Sequence, residues 1–275
     1  MFWLKKSQPN TASASMKLLI DADVLIHRAT KAVEREEIFG EDHHVLYSSF
    51  EEAKEKFHRV LSTLLDDVKA CGSTTVGHEL YVSGPNNWRK EVWSGYKANR
   101  KDRKPLAFGR LKEYVLELGA NMVERLEADD LLAIDACAGK GVIASVDKDF
   151  LSVPAPFLRL SVDMVPLDLI NTTPEQGRWQ HLMQTLAGDP VDGYKGCPRF
   201  GPKTTAKWLN SDVSVEGEVQ ADEVENLWAD IVSAFQDAGL DETEAMTNAT
   251  MAHIMHPDDA PRPWLLPIDV ICTTL

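Results

Sequence analysis

Cysteine is scarce: Cys71, Cys137, Cys197 and Cys272 form no CxxC pair, and no histidine stands at zinc-ligand spacing from them. That excludes a disulfide-stapled scaffold and a sequence-evident zinc site. No apolar run approaches the roughly 18 residues of a membrane helix, and the opening MFWLKKSQPNTASAS lacks the apolar centre of a secretory signal. A reduced, cytoplasmic protein without a membrane partner is the expectation. Met16 opens the first strand-like run, so residues 1–15 read as a flexible leader, with Met16 itself a candidate start.

Basic residues are outnumbered as well. Against 43 Asp and Glu stand 29 Lys and Arg, a formal net charge of −14 over 275 residues. Taken whole, that argues against a polyanionic partner such as nucleic acid. The shortage is local, however. Residues 212–275 hold 14 acids and one base, Arg262, whereas residues 1–211 hold 29 acids and 28 bases. The body is near neutral, so local patches matter more than the total.

A hydrophobic share of 44% is enough for a large core, and a charged share of 26% excludes wholesale disorder. Strand-like runs at Lys17–Asp21, Glu79–Ser83, Asn121–Glu124 and Gly141–Val146 alternate with helical patterns at Val24–Val33, Glu51–Cys71, Leu106–Leu118 and Asp129–Cys137. A short hairpin is expected over 157–167, helices from Pro174 to about Ala187 and within 188–210, and an apolar-periodic helix at Val224–Ala234. This order predicts an α/β fold with a mainly parallel central sheet flanked by helices. Sites in such sheets lie beyond the carboxyl ends of the strands, where Asp21 and Asp147 fall.

Acids gather at those positions: Asp21; Glu127, Asp129 and Asp130 in EADD; Asp147 and Asp149 in VDKD; Asp189 and Asp192 in GDPVD. Singly, each also reads as a surface residue or a helix start. Packed together, carboxylates repel unless cations neutralise them, and hard oxygen ligands in that number suit Mg²⁺ or Mn²⁺. Two such ions hold both oxygens of an in-line phosphoryl displacement. The segment Arg89–Lys112 carries nine bases and two acids, interleaved with Trp88, Trp93, Tyr96 and Phe108. Such a mixture suits phosphates and unpaired bases, although charge runs are often only solvated faces. Residues 196–204, GCPRFGPKT, form a turn entering a helix, where free N–H groups and Lys203 make a phosphate seat.

Five segments, in order, resemble the 5′ nuclease family: LLIDADVLIHR (18–28), NWRKEVWSGYKANRK (87–101), LEADDLLAI (126–134), SVDKDF (145–150) and GDPVDGYKGCPRFGPKTTAKWL (188–209). The wording of NWRKE and YKANRK, with the acidic extension, is most similar to exonucleases of short-tailed phages, which implies a host cytoplasm. The resemblance implies a PIN-like 5′ nuclease fold, with a nuclease core over 16–187, a helical arch at about 84–112, and a helix-hairpin-helix region with an acidic helical extension over 188–275. It implies about two Mg²⁺ or Mn²⁺ ions held by Asp21, Glu127, Asp129, Asp130, Asp147, Asp149, Asp189 and Asp192. Lys97, Arg100 and Arg28 would approach the scissile phosphate. Arg89, Lys90, Tyr96 and Lys101 would meet DNA at the arch, and Gly196, Gly201, Lys203 and Thr204 at the hairpin, where a K⁺ ion often sits.

The implied activity is metal-dependent 5′-to-3′ hydrolysis of duplex DNA ends, with flaps and the RNA of RNA–DNA hybrids as further substrates. One departure stands out. The family usually has an aspartate at the end of the strand before the arch, where this chain has Ser83 or Gly84. That leaves two rivals open: a catalytically weak or inactive DNA-binding member, and a related metal-dependent ribonuclease.

Overall fold

A computed structural model describes residues 15–39, 43–71, 74–212 and 221–256. All of the expected leader but Ser15, and the acidic stretches 213–220 and 257–275, lie outside the described residues. In chain order the elements are β1 (Ser15–Asp21), α1 (Ala22–Val33), β2 (Glu34–Phe39), β3 (His43–Ser48), α2 (Phe50–Ala70), β4 (Thr74–Tyr81), α3 (Trp88–Val92), α4 (Phe108–Glu117) and α5 (Ala128–Cys137). There follow β5 (Val142–Ser145), a 3₁₀ turn (Lys148–Ser152), β6 (Pro156–Leu160), β7 (Pro166–Asn171), α6 (Pro174–Ala187), α7 (Pro202–Asp212), α8 (Ala221–Asp237) and α9 (Glu242–Ala252).

Five strands form one sheet in the order β4-β1-β5-β6-β7. β1 runs parallel to both β4 and β5, β5 is parallel to β6, and β6 turns back on β7 antiparallel. The mainly parallel α/β architecture expected from the sequence is present. The inner strands are buried on both faces, as parallel strands are: Leu18, Leu19 and Ile20 of β1 and all of β5 are covered. The edge strand β7 alternates half-buried and exposed positions. Asn121, expected in a further strand, makes only a single bridge to Tyr81.

Helices cover both faces. Asp21 caps α1, whose Ala22, Leu25, Ile26, Ala29 and Val33 recur at helical spacing and face one core. α2 starts at the Ser49 cap and adds Ala53, Phe57, Leu61, Leu64 and Val68 to the same core. On the other face, Ala128, Leu132, Ala133 and Ala136 of α5 meet Leu19, Ile143, Phe150 and Phe157. A further core joins α6, α7, α8 and α9 through Leu186, Leu209, Ile231, Phe235 and Ala249. α6, assigned by sequence to the nuclease core, shares this helical core.

The β2–β3 hairpin was not visible in the sequence. Its residues are exposed except Glu34 and Ser48, so no buried face imposes the alternation that marks a strand. The segment expected as a helical arch holds the short α3, then turns and irregular chain from Ser94 to Ala107. Among the described residues no helix is long and apolar enough to cross a membrane.

The chain leaves β1 through α1 and α2 to reach β4, then returns to β5 on the opposite side of β1. That makes the carboxyl end of β1 a topological switch point, where a crevice opens in this class of sheet. The core beneath it sets its rigidity. Phe57 is fully buried. Phe57→Ala should lower unfolding free energy by about 3–5 kcal/mol, read as a reduced urea midpoint at unchanged slope.

Candidate active site

Three of the acid groups converge at the switch point. Asp21 ends β1, and its Oδ1 accepts from Val24 N–H at 3.4 Å while its Oδ2 accepts from Ser145 Oγ, at the end of β5, at 3.1 Å. Beyond β5, Asp147 caps the 3₁₀ turn by accepting from Asp149 N–H at 2.9 Å. Asp149 in turn accepts from Gln184 Nε2 of α6 at 2.6 Å. Asp129 stands in the first turn of α5, where a carboxylate also complements the helix dipole.

These carboxylates are crowded and short of water. Burial, then the charge of Asp23, pushes Asp21 up to about 7. Burial and Asp147 push Asp149 up to about 7. Burial drives Asp129 well above the carboxylate range, with Asp21, Asp147 and Glu127 adding to it, and burial raises Asp147 as well. Asp21, Asp23, Asp129, Asp147, Asp149 and Asp189 have no ion-pair partner among the described residues.

A second set of acids at the rim is neutralised. Burial opposes the charge of Glu127, but Arg89, Lys97 and the Tyr96 hydroxyl outweigh it and hold the group at about 2. Lys97 Nζ lies 2.7 Å from Glu127 and 3.6 Å from Asp192, and Arg100 lies 2.7 Å from Asp192. Main-chain contacts fix this rim: Lys97 N–H donates to Asp192 O at 2.8 Å. Asp189 folds its own loop, accepting from Val191 N–H at 2.7 Å and Asp192 N–H at 3.3 Å.

The remaining expected site residues lie elsewhere. Asp130, expected as a ligand, is fully buried and accepts from five protein donors: two from Arg89 (2.7 and 2.9 Å), Trp88 Nε1, Glu127 N–H and Met255 N–H. With both oxygens so committed, it holds the fold. Arg89, expected on DNA, is its buried partner. Tyr96, expected to stack on a base, is also buried, and its hydroxyl donates to Glu127 (2.8 Å) and Asp192 (3.0 Å). Burial raises its phenol far out of the titrating range, so it stays a neutral donor.

Arg28, expected near the phosphate, reaches the β6–β7 turn instead, through Asp163 at 2.7 Å and the Val162 carbonyl. Gly196, expected on DNA, is pinched against Gly188: a Cβ there would lie 2.4 Å from Gly188 N and 2.4 Å from Leu186 O. Lys90 and Lys101 are exposed and make no ion pair among the described residues. Gly201, Lys203 and Thr204 are exposed at the start of α7. Arg199, just before them, takes a left-handed φ of 73° that favours glycine.

Asp23, Ser145, Gln184 and Tyr194 also belong to the surroundings of these acids, although the sequence does not single them out. The Asp-x-Asp spacing of Asp21 and Asp23 was the available signal. Ser145 and Gln184 carried none, because only the fold brings them to Asp21 and Asp149. Tyr194 is buried, and Asp149, Asp189 and Asp192 add to that burial in raising its phenol.

Among the described residues no three His, Cys, Asp or Glu side chains are arranged to hold one ion, so there is no closed cage of the zinc or calcium type. Mg²⁺ keeps most of its waters and is held by one or two carboxylates plus substrate phosphates. Carboxylates that are buried (Asp21) or partly buried (Asp129, Asp147 and Asp149), in no ion pair among the described residues, fit that mode.

Two outcomes follow from this geometry. Arg89→Met strands Asp130 without its cation and should cost about 3–5 kcal/mol of stability; a phosphate contact would instead weaken DNA binding and leave the unfolding midpoint alone. Asp21 and Asp149, raised to about 7 in the fold, bind more protons folded than unfolded. Their stabilising contribution is full below about pH 4 and is lost as pH rises through about 7. In EDTA the thermal midpoint should therefore fall between about pH 5 and about pH 8, and Asp149→Asn should flatten that fall.

No protein-family model matches the chain. The exodeoxyribonuclease of Enterobacteria phage T3 is 30% identical over 271 residues, covering 86% of this chain and 87% of the relative. The exonuclease of Escherichia phage T7 is 28% identical over the same shares. A flap endonuclease Xni of Shewanella sediminis is 27% identical over 46% of this chain and 54% of its own length. Among solved structures, the T5 5′-exonuclease with bound divalent zinc superposes with a TM-score of 0.58 at 15% identity, covering 86% of this chain and 88% of that one. That likeness concerns the fold, whereas the kinship with the phage T3 enzyme covers 86% of this chain and 87% of the relative, and the chain belongs to the 5′ nuclease family, the enzymes that include phage exodeoxyribonucleases and flap endonucleases.

Proposed function

We propose that the chain is a divalent-metal-dependent 5′-to-3′ exonuclease acting on the ends of duplex DNA, with 5′ flaps as a related substrate. The observation carrying this reading is the group Asp21, Asp129, Asp147 and Asp149: desolvated, mutually repelling, and in no ion pair among the described residues, with Lys97 and Lys148 only partly offsetting the charge. Two Mg²⁺ or Mn²⁺ ions, held by this group with Asp189, would offset the charge and, when bound, supply the Lewis acid for in-line displacement at phosphorus. The relatives' names support the reaction class. A complex of the T5 D15 flap endonuclease with DNA and metal ions, at a TM-score of 0.51 and 16% identity, shares the fold.

The protein's own residues have distinct tasks in this reading. Lys97 and Arg100 sit at the rim, held by Glu127 and Asp192. An entering phosphate competes for both cations, which then offset the charge that builds on it. Tyr96 acts from below by orienting Glu127 and Asp192. The exposed start of α7, with Gly201, Lys203 and Thr204, offers N–H groups and a cation to the duplex backbone, a grip that reads no sequence. The helix-hairpin-helix assignment of residues 196–204, within the region 188–275, belongs to this proposal, as does a K⁺ ion at that hairpin.

One assay tests the reading and its rivals. The purified chain is incubated with 5′-labelled duplex, 5′-flap and RNA–DNA hybrid substrates, in Mg²⁺ or EDTA. Short 5′ products should appear only with Mg²⁺; binding without product would favour the non-catalytic reading, and preference for the RNA strand the ribonuclease. Asp147→Ala should lower hydrolysis at least about 100-fold and spare DNA binding. Lys203→Ala should weaken duplex binding uniformly and reduce its salt slope by about one.

A further inference from the structure

The end of β4 lacks a carboxylate, and the structure shows why the backbone there is otherwise occupied. A Cβ on Gly84 would lie 1.9 Å from Val123 O, so that position takes no side chain at all. Ser83 is held on three sides. Its Oγ accepts from Ala128 N–H, at the start of α5, at 3.1 Å. Its carbonyl accepts from Lys112 Nζ, and its N–H donates to Asp23 Oδ2 at 2.9 Å.

Asp23 is thus a carboxylate delivered from α1 to the very residue where β4 has none. Its second oxygen, Oδ1, is buried and has no hydrogen-bond partner. Such an atom costs free energy unless something meets it. Asp23 also acts on its neighbours: it is the second-largest cause, after burial, of the raised proton affinity of Asp21. The partly buried Lys112 ammonium feels its charge too, but bonds to the Ser83 carbonyl and not to Asp23.

We propose that Asp23 is a further metal-holding carboxylate of this site, supplying from the first turn of α1 the acid that β4 lacks. The inference rests on the reading of the carboxylate group as a divalent-metal site. Ser83 N–H fixes one oxygen, and the other, buried and without a hydrogen-bond partner, would be available to a cation held in the same carboxylate group. No other described acid is bonded to Ser83, so Asp23 alone compensates for the missing side chain.

The test uses the full chain and Mn²⁺ alone, with bound ion counted by electron paramagnetic resonance, no DNA present. Asp23→Asn keeps an acceptor for Ser83 N–H and removes only the charge. It should weaken one class of Mn²⁺ site about tenfold or more. In EDTA the same variant should be as stable as the parent or more so, because one repelling charge is gone, while the rise in thermal midpoint on adding Mn²⁺ shrinks. Ser83→Asp in the Asp23→Asn background should restore Mn²⁺ affinity. An unchanged isotherm for Asp23→Asn, beside a weakened one for Asp147→Ala, overturns the role of Asp23 and leaves the metal site standing. If neither variant alters Mn²⁺ binding, the metal reading of this group falls, and Asp23 with it. Lost affinity accompanied by a lower midpoint in EDTA, and not repaired by Ser83→Asp, makes Asp23 a brace for Ser83 and overturns the proposal.

Discussion

A guanidinium taken out of water costs several kcal/mol unless charge and hydrogen bonds meet it. Arg89 is taken out almost completely, and its two amino groups meet Asp130, Glu127 and the carbonyl of His253. Those partners come from the start of α5 and from the chain just after α9. Asp130 closes the arrangement by accepting from Trp88 and Met255. One buried ion pair therefore ties α3, α5 and the end of the described chain together. Everything at the rim is built on this tie, since Tyr96 and Lys97 follow Arg89 in sequence and share Glu127 with it.

The consequence for the site is a division of labour among acids that look alike in sequence. EADD presents three carboxylates within four residues, and the fold gives each a different environment. Glu127 is held anionic by cations at the rim, Asp130 is consumed by the core, and Asp129 is left partly buried, feeling the charges of Asp21 and Asp147. The same sorting explains the charge balance. A net charge of −14 misleads because it averages unneutralised acids at the strand ends, a basic segment in which Arg89 is buried and most other bases are exposed, and an acidic stretch beyond residue 212.

The sheet was legible in the sequence because its central strands are short apolar runs ending in acids, and α1 and α2 because their apolar residues keep helical spacing. The convergence of Asp21, Asp129, Asp147 and Asp149 was legible for the same reason: strand ends and helix starts fix where side chains emerge. What escaped was decided by tertiary packing. Arg89 and Tyr96 belong to a basic, aromatic stretch that looks solvent-facing until Glu127, Asp130 and Asp192 are brought to it. The β2–β3 hairpin escaped because exposure on both faces removes its pattern. Gly196 was read as a ligand-side glycine, yet it serves the close passage of two backbones.

That close passage has a mechanical meaning. Gly188 and Gly196 pinch the base of the loop, and the Asp189–Tyr194 bridge closes it. Asp189 and Asp192 sit within the pinched part, while Lys203 and Thr204 begin α7 only a few residues beyond. The loop cannot stretch without breaking backbone contacts, so the exposed start of α7 is held at a set offset from Asp189 and Asp192. Under the proposed function, that offset would set a distance along a bound strand.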